Sequence, residues 1–245
     1  MAIEKFSNQS PKLYFAGRTD AGVHATNQIA HFDLIDNNKN IATAESLFSQ
    51  PKRVLLAINH YLKNEMVKII ACDIVDENFH ARFSAKSRQY LYRILNRSAP
   101  PTIDAKRLWH IPQKINLDLM RQVAEIIINE TNLTAFLPQT ELKEQDLTTK
   151  LYHLRKIDFI DIKESGEVIE ITIESRSFFR HLVRSLVGAM VLVAIGKVSI
   201  ADFRGRIGNY RIDNNGNKAM LNGRSNQDIS PIAPPYGLFF TDVKY

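Results

Sequence analysis

Arg88-Gln89-Tyr90-Leu91-Tyr92-Arg93-Ile94-Leu95 is the stretch that decides the fold. Tyr90, Tyr92 and Ile94 alternate with Leu91, Arg93 and Leu95, which predicts a strand with two distinct faces. Downstream, Leu151–Ile162 and Glu167–Glu174 predict two strands joined through Lys-Glu-Ser-Gly, a hairpin signal. Leu238–Tyr245 predicts a last strand. Upstream, Lys12–Ala16, Gln28–Leu34 and the β-branched run Met66–Val75 predict three more. Helices are expected from Pro51 to near Tyr61, with Val54, Leu55, Ile58 and Leu62 on one face, and over Leu117–Ile128. Phe178–Ile195 is apolar on most sides and predicts a long buried helix. Helices and hairpin-like strands are interspersed. The expected class is therefore α/β of the α+β type, with a mostly antiparallel sheet.

Composition narrows the function. The chain has 245 residues, 44% hydrophobic and 24% charged, which excludes a disordered or fibrous protein. Lys and Arg outnumber Asp and Glu, 32 to 26, and a net +6 favours an anionic partner, nucleic acid above all. Cys72 is the one cysteine, so neither an intrachain disulfide nor a thiolate metal cluster is expected. His24 and His31 lie seven apart, without ligand spacing, and no metal is expected. Phosphate-binding glycine motifs are absent, so no nucleotide cofactor is expected. The apolar helix is too short for the roughly 20 residues that span a bilayer, and a cytoplasmic location is expected. Pro100-Pro101 marks a soft boundary, giving an expected catalytic half over 1–100 and a second half over 101–245. Asp36–Asn40 predicts a polar turn, and Asp213–Asn217 opens a loop rich in Asn and Gly over Asn209–Asn226.

Three segments can carry chemistry. Gly17-Arg18-Thr19-Asp20-Ala21-Gly22-Val23-His24-Ala25 puts a carboxylate in a loop of small residues that a bulky substrate can approach. Arg18 could hold Asp20 ionised, ready to act as nucleophile or base. The same loop also reads as an Asx turn in which Asp20 caps its own backbone. Phe79–Arg93 interleaves cations with aromatics, a pattern suited to phosphates and unpaired bases, with Arg82, Lys86 and Arg88 as RNA-binding candidates. It reads equally as a sheet with half-buried tyrosines and solvated cations. Arg180-His181 with Arg184 is the third: Arg180 and Arg184, spaced four apart, share a face of the apolar helix, where the charge of Arg184 needs a partner such as Asp20. The alternative is an ordinary helix end with its cations in solvent. A glycosidic hydrolase would need a second carboxylate, and Asp33 is the only acid near the first segment.

Four blocks, GRTDAGVHATNQIAHFD (17–33), NFHARFSAKSRQYLYRILN (78–96), SFFRHLVRSLVGAMVLVAIGK (177–197) and APPYGLFFTDVKY (233–245), resemble the bacterial tRNA pseudouridine synthase A family. The resemblance implies two pseudo-symmetric halves around a central, mostly antiparallel sheet, with the active cleft between them. It implies a cofactor-free homodimer that isomerises uridine to pseudouridine at positions 38, 39 and 40 of the tRNA anticodon arm. Asp20 stands at the catalytic aspartate, Tyr90 at the tyrosine that contacts the target base, Arg18 at the arginine beside the aspartate and Arg184 at the helix arginine facing it. The family opens with a strand carrying Gly-Trp-Gln and then a helix. Met1–Phe6 resembles the last turns of that helix, so a late start is expected, with an RNA-binding protein of impaired catalysis as the alternative. The stretch around Asp36–Gln50 is extra relative to the family pattern.

Overall fold

The computed structural model describes residues 2–34, 50–136, 156–207, 210–212, 218–220 and 231–245. The turn expected at Asp36–Asn40, most of Asp36–Gln50, the start of the strand expected from Leu151, and most of the loop expected over Asn209–Asn226 lie outside the described residues. The chain divides into two compact units, cut at 17, 28 and 84 rather than at residue 100: Met1–Gly17 with Ile29–Ser84, and Arg18–Gln28 with Ala85–Tyr245.

The first unit holds helices α1 (Ala2–Ser7) and α2 (Pro51–Tyr61) and the short strands β1 (Tyr14–Phe15) and β3 (Ala30–His31). Pro51 starts α2 in the first turn, where its missing N–H costs nothing. Val54 and Ile58 of that helix bury against Ile3, with Phe6, Leu13, Phe32 and Leu62 around them. Only two residues each of the strands expected at Lys12–Ala16 and Gln28–Leu34 pair, antiparallel, Tyr14 with His31 and Phe15 with Ala30.

Met66–Val75 is not a strand. Its β-branched composition suits a ladder, but no described residue supplies one. Ile69 has its backbone bonded on both sides by the Asn59 side-chain amide, at 2.8 and 2.7 Å. Met66, Val67, Ile70, Ile74 and Val75 are exposed. Backbone amides from Ile70 to Val75 are expected to exchange with deuterium orders of magnitude faster than those of the central strand described next. Mass spectrometry of the peptides checks this, and equal protection would show that the stretch has a ladder partner.

The second unit is built on a six-stranded sheet flanked by helices. Its strands are β2 (His24–Ala25), β4 (Ser87–Leu95), β5 (Trp109–His110), β6 (Phe159–Ser165), β7 (Val168–Ser175) and β10 (Leu238–Lys244). β10, β4, β7 and β6 are neighbours in that order and antiparallel throughout, while β2 on β10 and β5 on β4 are parallel. The alternation expected in the deciding stretch holds as far as Ile94: Arg88, Tyr90, Tyr92 and Ile94 are buried, Gln89, Leu91 and Arg93 less so, and Leu95 is buried as well. The hairpin β6–β7 turns at Gly166, whose φ of 61° is left-handed and suits a residue without Cβ. β8 (Tyr210–Ile212) and β9 (Lys218–Met220) pair separately.

Helix α3 (Leu117–Asn129) is capped by Asn116, whose side-chain oxygen accepts from the N–H groups of Asp118 and Leu119 at 3.0 and 3.1 Å. It buries Met120, Val123, Ala124 and Ile127, packing on β6, on α4 (Leu182–Ala194) and on α5 (Ile200–Arg206). α4 is buried almost all round, as its composition predicts, but it starts at Leu182 rather than Phe178. His181, with φ of 64°, turns the backbone left-handed and stops the helix there. Arg180 therefore precedes the helix and shares no helical face with Arg184.

Gly188 of α4 lies against the chain entering β10. A Cβ there would overlap the Pro231 carbonyl oxygen. Because the obstacle is backbone, Gly188→Ala is expected to lower stability by about 1–3 kcal/mol or more, read as the denaturant midpoint. An unchanged midpoint would mean that the Pro231 segment yields freely.

Candidate active site

The loop Arg18–Val23 belongs wholly to the second unit and leads straight into β2. His24 and Ala25 pair with Phe239 and Phe240 of β10, and Phe240 in turn faces Tyr90 of β4. The aspartate loop is thereby tied to the strand that neighbours the tyrosine strand. The turn closes through the Val23 N–H, which donates to the Asp20 carbonyl at 3.1 Å. Gly22 has φ of 84°, and a Cβ there would press on Pro235 at 3.3 Å. Both its backbone and its neighbour call for glycine.

The Asp20 side chain does not cap its own backbone. Its Oδ2 accepts from Arg184 Nη1 at 2.6 Å, and its Oδ1 lies 3.3 Å from His181 Nε2. Arg184 is itself fixed, because its Nε donates to the Ala233 carbonyl at 2.7 Å. The Ala233 N–H returns a bond to the Arg184 carbonyl at 3.1 Å. Two side chains of one helix end thus hold the two oxygens of one carboxylate from opposite sides.

Behind this pair, the segment 233–237 is pinned to β4. Tyr92 donates its hydroxyl to the Pro234 carbonyl at 2.7 Å. Gly237 lies so close that a Cβ would come within 2.8 Å of the Tyr92 ring. Tyr90 is 8% exposed and meets Phe178 and Phe240 edge-on, at 5.1 and 4.9 Å. Burial pushes its phenol up to about 12, with Arg88 pulling down and Asp20 adding to the rise. The ring stays neutral at working pH.

A family profile described as tRNA pseudouridine synthase matches residues 139–245. Asp20 and Tyr90 fall outside that match, and full-length relatives cover them. The tRNA pseudouridine synthase A of Anaplasma phagocytophilum (strain HZ) is 36% identical over 244 residues, spanning 100% of this chain and 86% of the relative. That of Caulobacter vibrioides (strain NA1000 / CB15N) is 33% identical over 244 residues, with the same two coverages of 100% and 86%. That of Bartonella tribocorum is 35% identical over 246 residues, covering 100% of this chain and 87% of the relative. The chain belongs to the tRNA pseudouridine synthase A family.

In this member of the tRNA pseudouridine synthase A family, Asp20 and Arg184 meet as expected from their positions in the sequence. Arg18 does not join them: its side chain is exposed and makes no ion pair with Asp20. Among the expected RNA contacts, Arg82 and Lys86 are exposed, and Lys86 Nζ donates to the Tyr245 carbonyl at 3.0 Å. Arg88 is a correction. It is 8% exposed and donates to the Arg176 carbonyl, so its guanidinium holds backbone instead of facing phosphate.

His181, grouped in the sequence with Arg180 and Arg184 but given no partner there, also reaches Asp20. The signal for it is its place beside Arg180 at the mouth of an apolar helix, three residues before Arg184. Burial pushes its pKa below the usual histidine value, the Asp20 carboxylate pulls against that, and Arg184 and Arg180 add to the fall. The net shift is downward, so the unfolded chain takes up the proton first. Its contribution to stability is complete above about pH 6.5 and is lost as pH falls through the lower, folded-state value. Denaturant midpoints are therefore expected to be flat from about pH 7 to about pH 9, short of the range in which tyrosines ionise, and to decline on the acid side. His181→Asn, which tolerates the left-handed backbone, is expected to shallow that decline, and an unchanged acid slope would assign it to other groups.

Proposed function

We propose that this chain isomerises uridine to pseudouridine in the anticodon arm of tRNA, in the cytoplasm and as a homodimer, with Asp20 as the nucleophile. The observation that supports this most is the Asp20 carboxylate, set in a tight loop and engaged by Arg184 at 2.6 Å and His181 at 3.3 Å. A carboxylate oriented by fixed partners is poised to meet a sugar carbon without reorganising. Oδ1, with the longer contact, is the oxygen freer to react.

The chemistry balances within the nucleoside. The carboxylate attacks ribose C1′ as the C1′–N1 bond breaks, and the bonding pair leaves with the uracil. The freed base turns so that C5 faces C1′. C5 then displaces the carboxylate, a proton leaves C5, and N1 takes up a proton. The target must first leave its stack, at a cost of a few kcal/mol. Tyr90, neutral and braced by Phe178 and Phe240, offers an apolar floor for the extruded base. Arg18, exposed two residues before Asp20, would offer its charge to RNA phosphate.

The RNA-binding alternative without catalysis is not favoured, since relatives named as synthases match the whole chain. The test uses tRNA transcripts labelled with tritium at uracil C5. Label is expected in water when the labelled uridines lie in the anticodon arm and not when they lie elsewhere. Light scattering is expected to give about twice the mass of one chain. Release from other arms only would overturn the proposed target.

A further inference from the structure

The first unit carries an assembly of rings that the aspartate chemistry does not use. Its base is the turn 79–84, locked by reciprocal bonds. The Ser84 N–H donates to the His80 carbonyl at 2.9 Å, and the His80 N–H donates to Ser84 Oγ at 2.9 Å. His80 Nδ1 accepts from the N–H groups of Arg82 and Phe83 at 3.1 and 3.2 Å. His31 Nδ1 accepts from the Ala81 N–H at 3.0 Å. Both imidazoles act here as backbone acceptors, which fixes their orientation.

On this scaffold the rings contact one another in sequence. Tyr14 stacks on His31 at 4.9 Å and 12°, His31 meets His80 at 4.7 Å, and His80 meets Phe83 at 4.4 Å. Each end carries a cation: Lys12 Nζ lies 5.0 Å from the Tyr14 ring and the Arg82 guanidinium 5.6 Å from the Phe83 ring. His31 and Lys12 engage Tyr14. Phe83, in contrast, is 74% exposed. A phenylalanine held outward by a backbone-clamped turn, with a histidine ring against it and a guanidinium over it, keeps most of its aromatic surface in solvent beside a positive charge. That pairing fits a nucleobase with its phosphate.

We propose that Phe83 is a stacking seat for an unpaired base of the RNA substrate, with Arg82 and Lys12 taking neighbouring phosphates. This rests on the reading of the chain as a tRNA enzyme and adds a contact point to it. The seat lies within one unit and needs only the local turn for its geometry.

Equilibrium binding of whole tRNA to the full chain tests it, read by filter retention without turnover. Phe83→Leu keeps apolar bulk and removes the π face, and is expected to weaken binding about 5- to 100-fold. Phe83→Trp is expected to bind as well as the parent or better. Arg82→Gln is expected to reduce the salt dependence by about one phosphate contact. Melting temperatures of the Phe83 variants, whose side chain is exposed, control for folding. Binding of Phe83→Leu equal to the parent overturns the seat. So does equal weakening by Leu and Trp, which would mark a shape-specific protein contact. Because no turnover is read, failure of the isomerase reading appears as a separate result.

Discussion

Arg184→Met is expected to slow pseudouridine formation by about 10²- to 10³-fold while leaving the chain folded. The substitution removes the 2.6 Å contact to Asp20 Oδ2 and the 2.7 Å bond to the Ala233 carbonyl together. Asp20 then faces the apolar end of α4 with only His181 beside it, and its preferred orientation is lost. The pair is partly exposed, so the loss of stability should fall below the 3–5 kcal/mol typical of a fully buried pair broken on one side. Arg184→Lys separates charge from geometry. One ammonium cannot serve both acceptors in the fork arrangement, and most of the loss should remain. Single-turnover rates of both variants, with tRNA binding measured alongside, check this. A lysine variant as fast as the parent would show that charge alone suffices.

What the sequence revealed follows how local each feature is. β4 and α2 are written in side-chain periodicity, and both appear at the expected residues. The β6–β7 hairpin is legible for the same reason, with glycine at the left-handed turn. Met66–Val75 has the composition of a strand but no partner among the described residues. Strand formation depends on a second segment, and local composition does not report it. α4 starts four residues later than its apolar composition suggests, because a left-handed histidine leaves no compositional trace. Arg88 could have been read correctly. It shares parity with Tyr90 and Tyr92, so the alternation that buries those tyrosines buries Arg88 too. The cation at Asp20 was the least local question. Arg18 is two residues away in sequence and points to solvent, whereas Arg184 arrives from 164 residues away. Chain proximity is a poor guide to ion pairing in a loop whose direction is set by the strands it joins.

Asp20→Asn carries the largest expected effect. The amide is nearly isosteric, so the loop, its Gly22 turn and the pairing of β2 with β10 should persist. Its oxygen can still accept from Arg184. What disappears is the negative charge that attacks C1′ and serves as leaving group when C5 closes the new bond. Losing a covalent nucleophile typically costs about 10⁴-fold or more. Affinity for tRNA should be little changed, because Asp20 contributes no positive charge to phosphate binding.

The most direct measurement is tritium release under single-turnover conditions, with enzyme in excess over tRNA labelled at uracil C5, comparing the parent chain with Asp20→Asn. The parent is expected to release label to completion, and the asparagine variant to bind the same tRNA and release essentially none. Release by the variant at a rate near that of the parent would contradict the assignment of Asp20 as the reacting carboxylate.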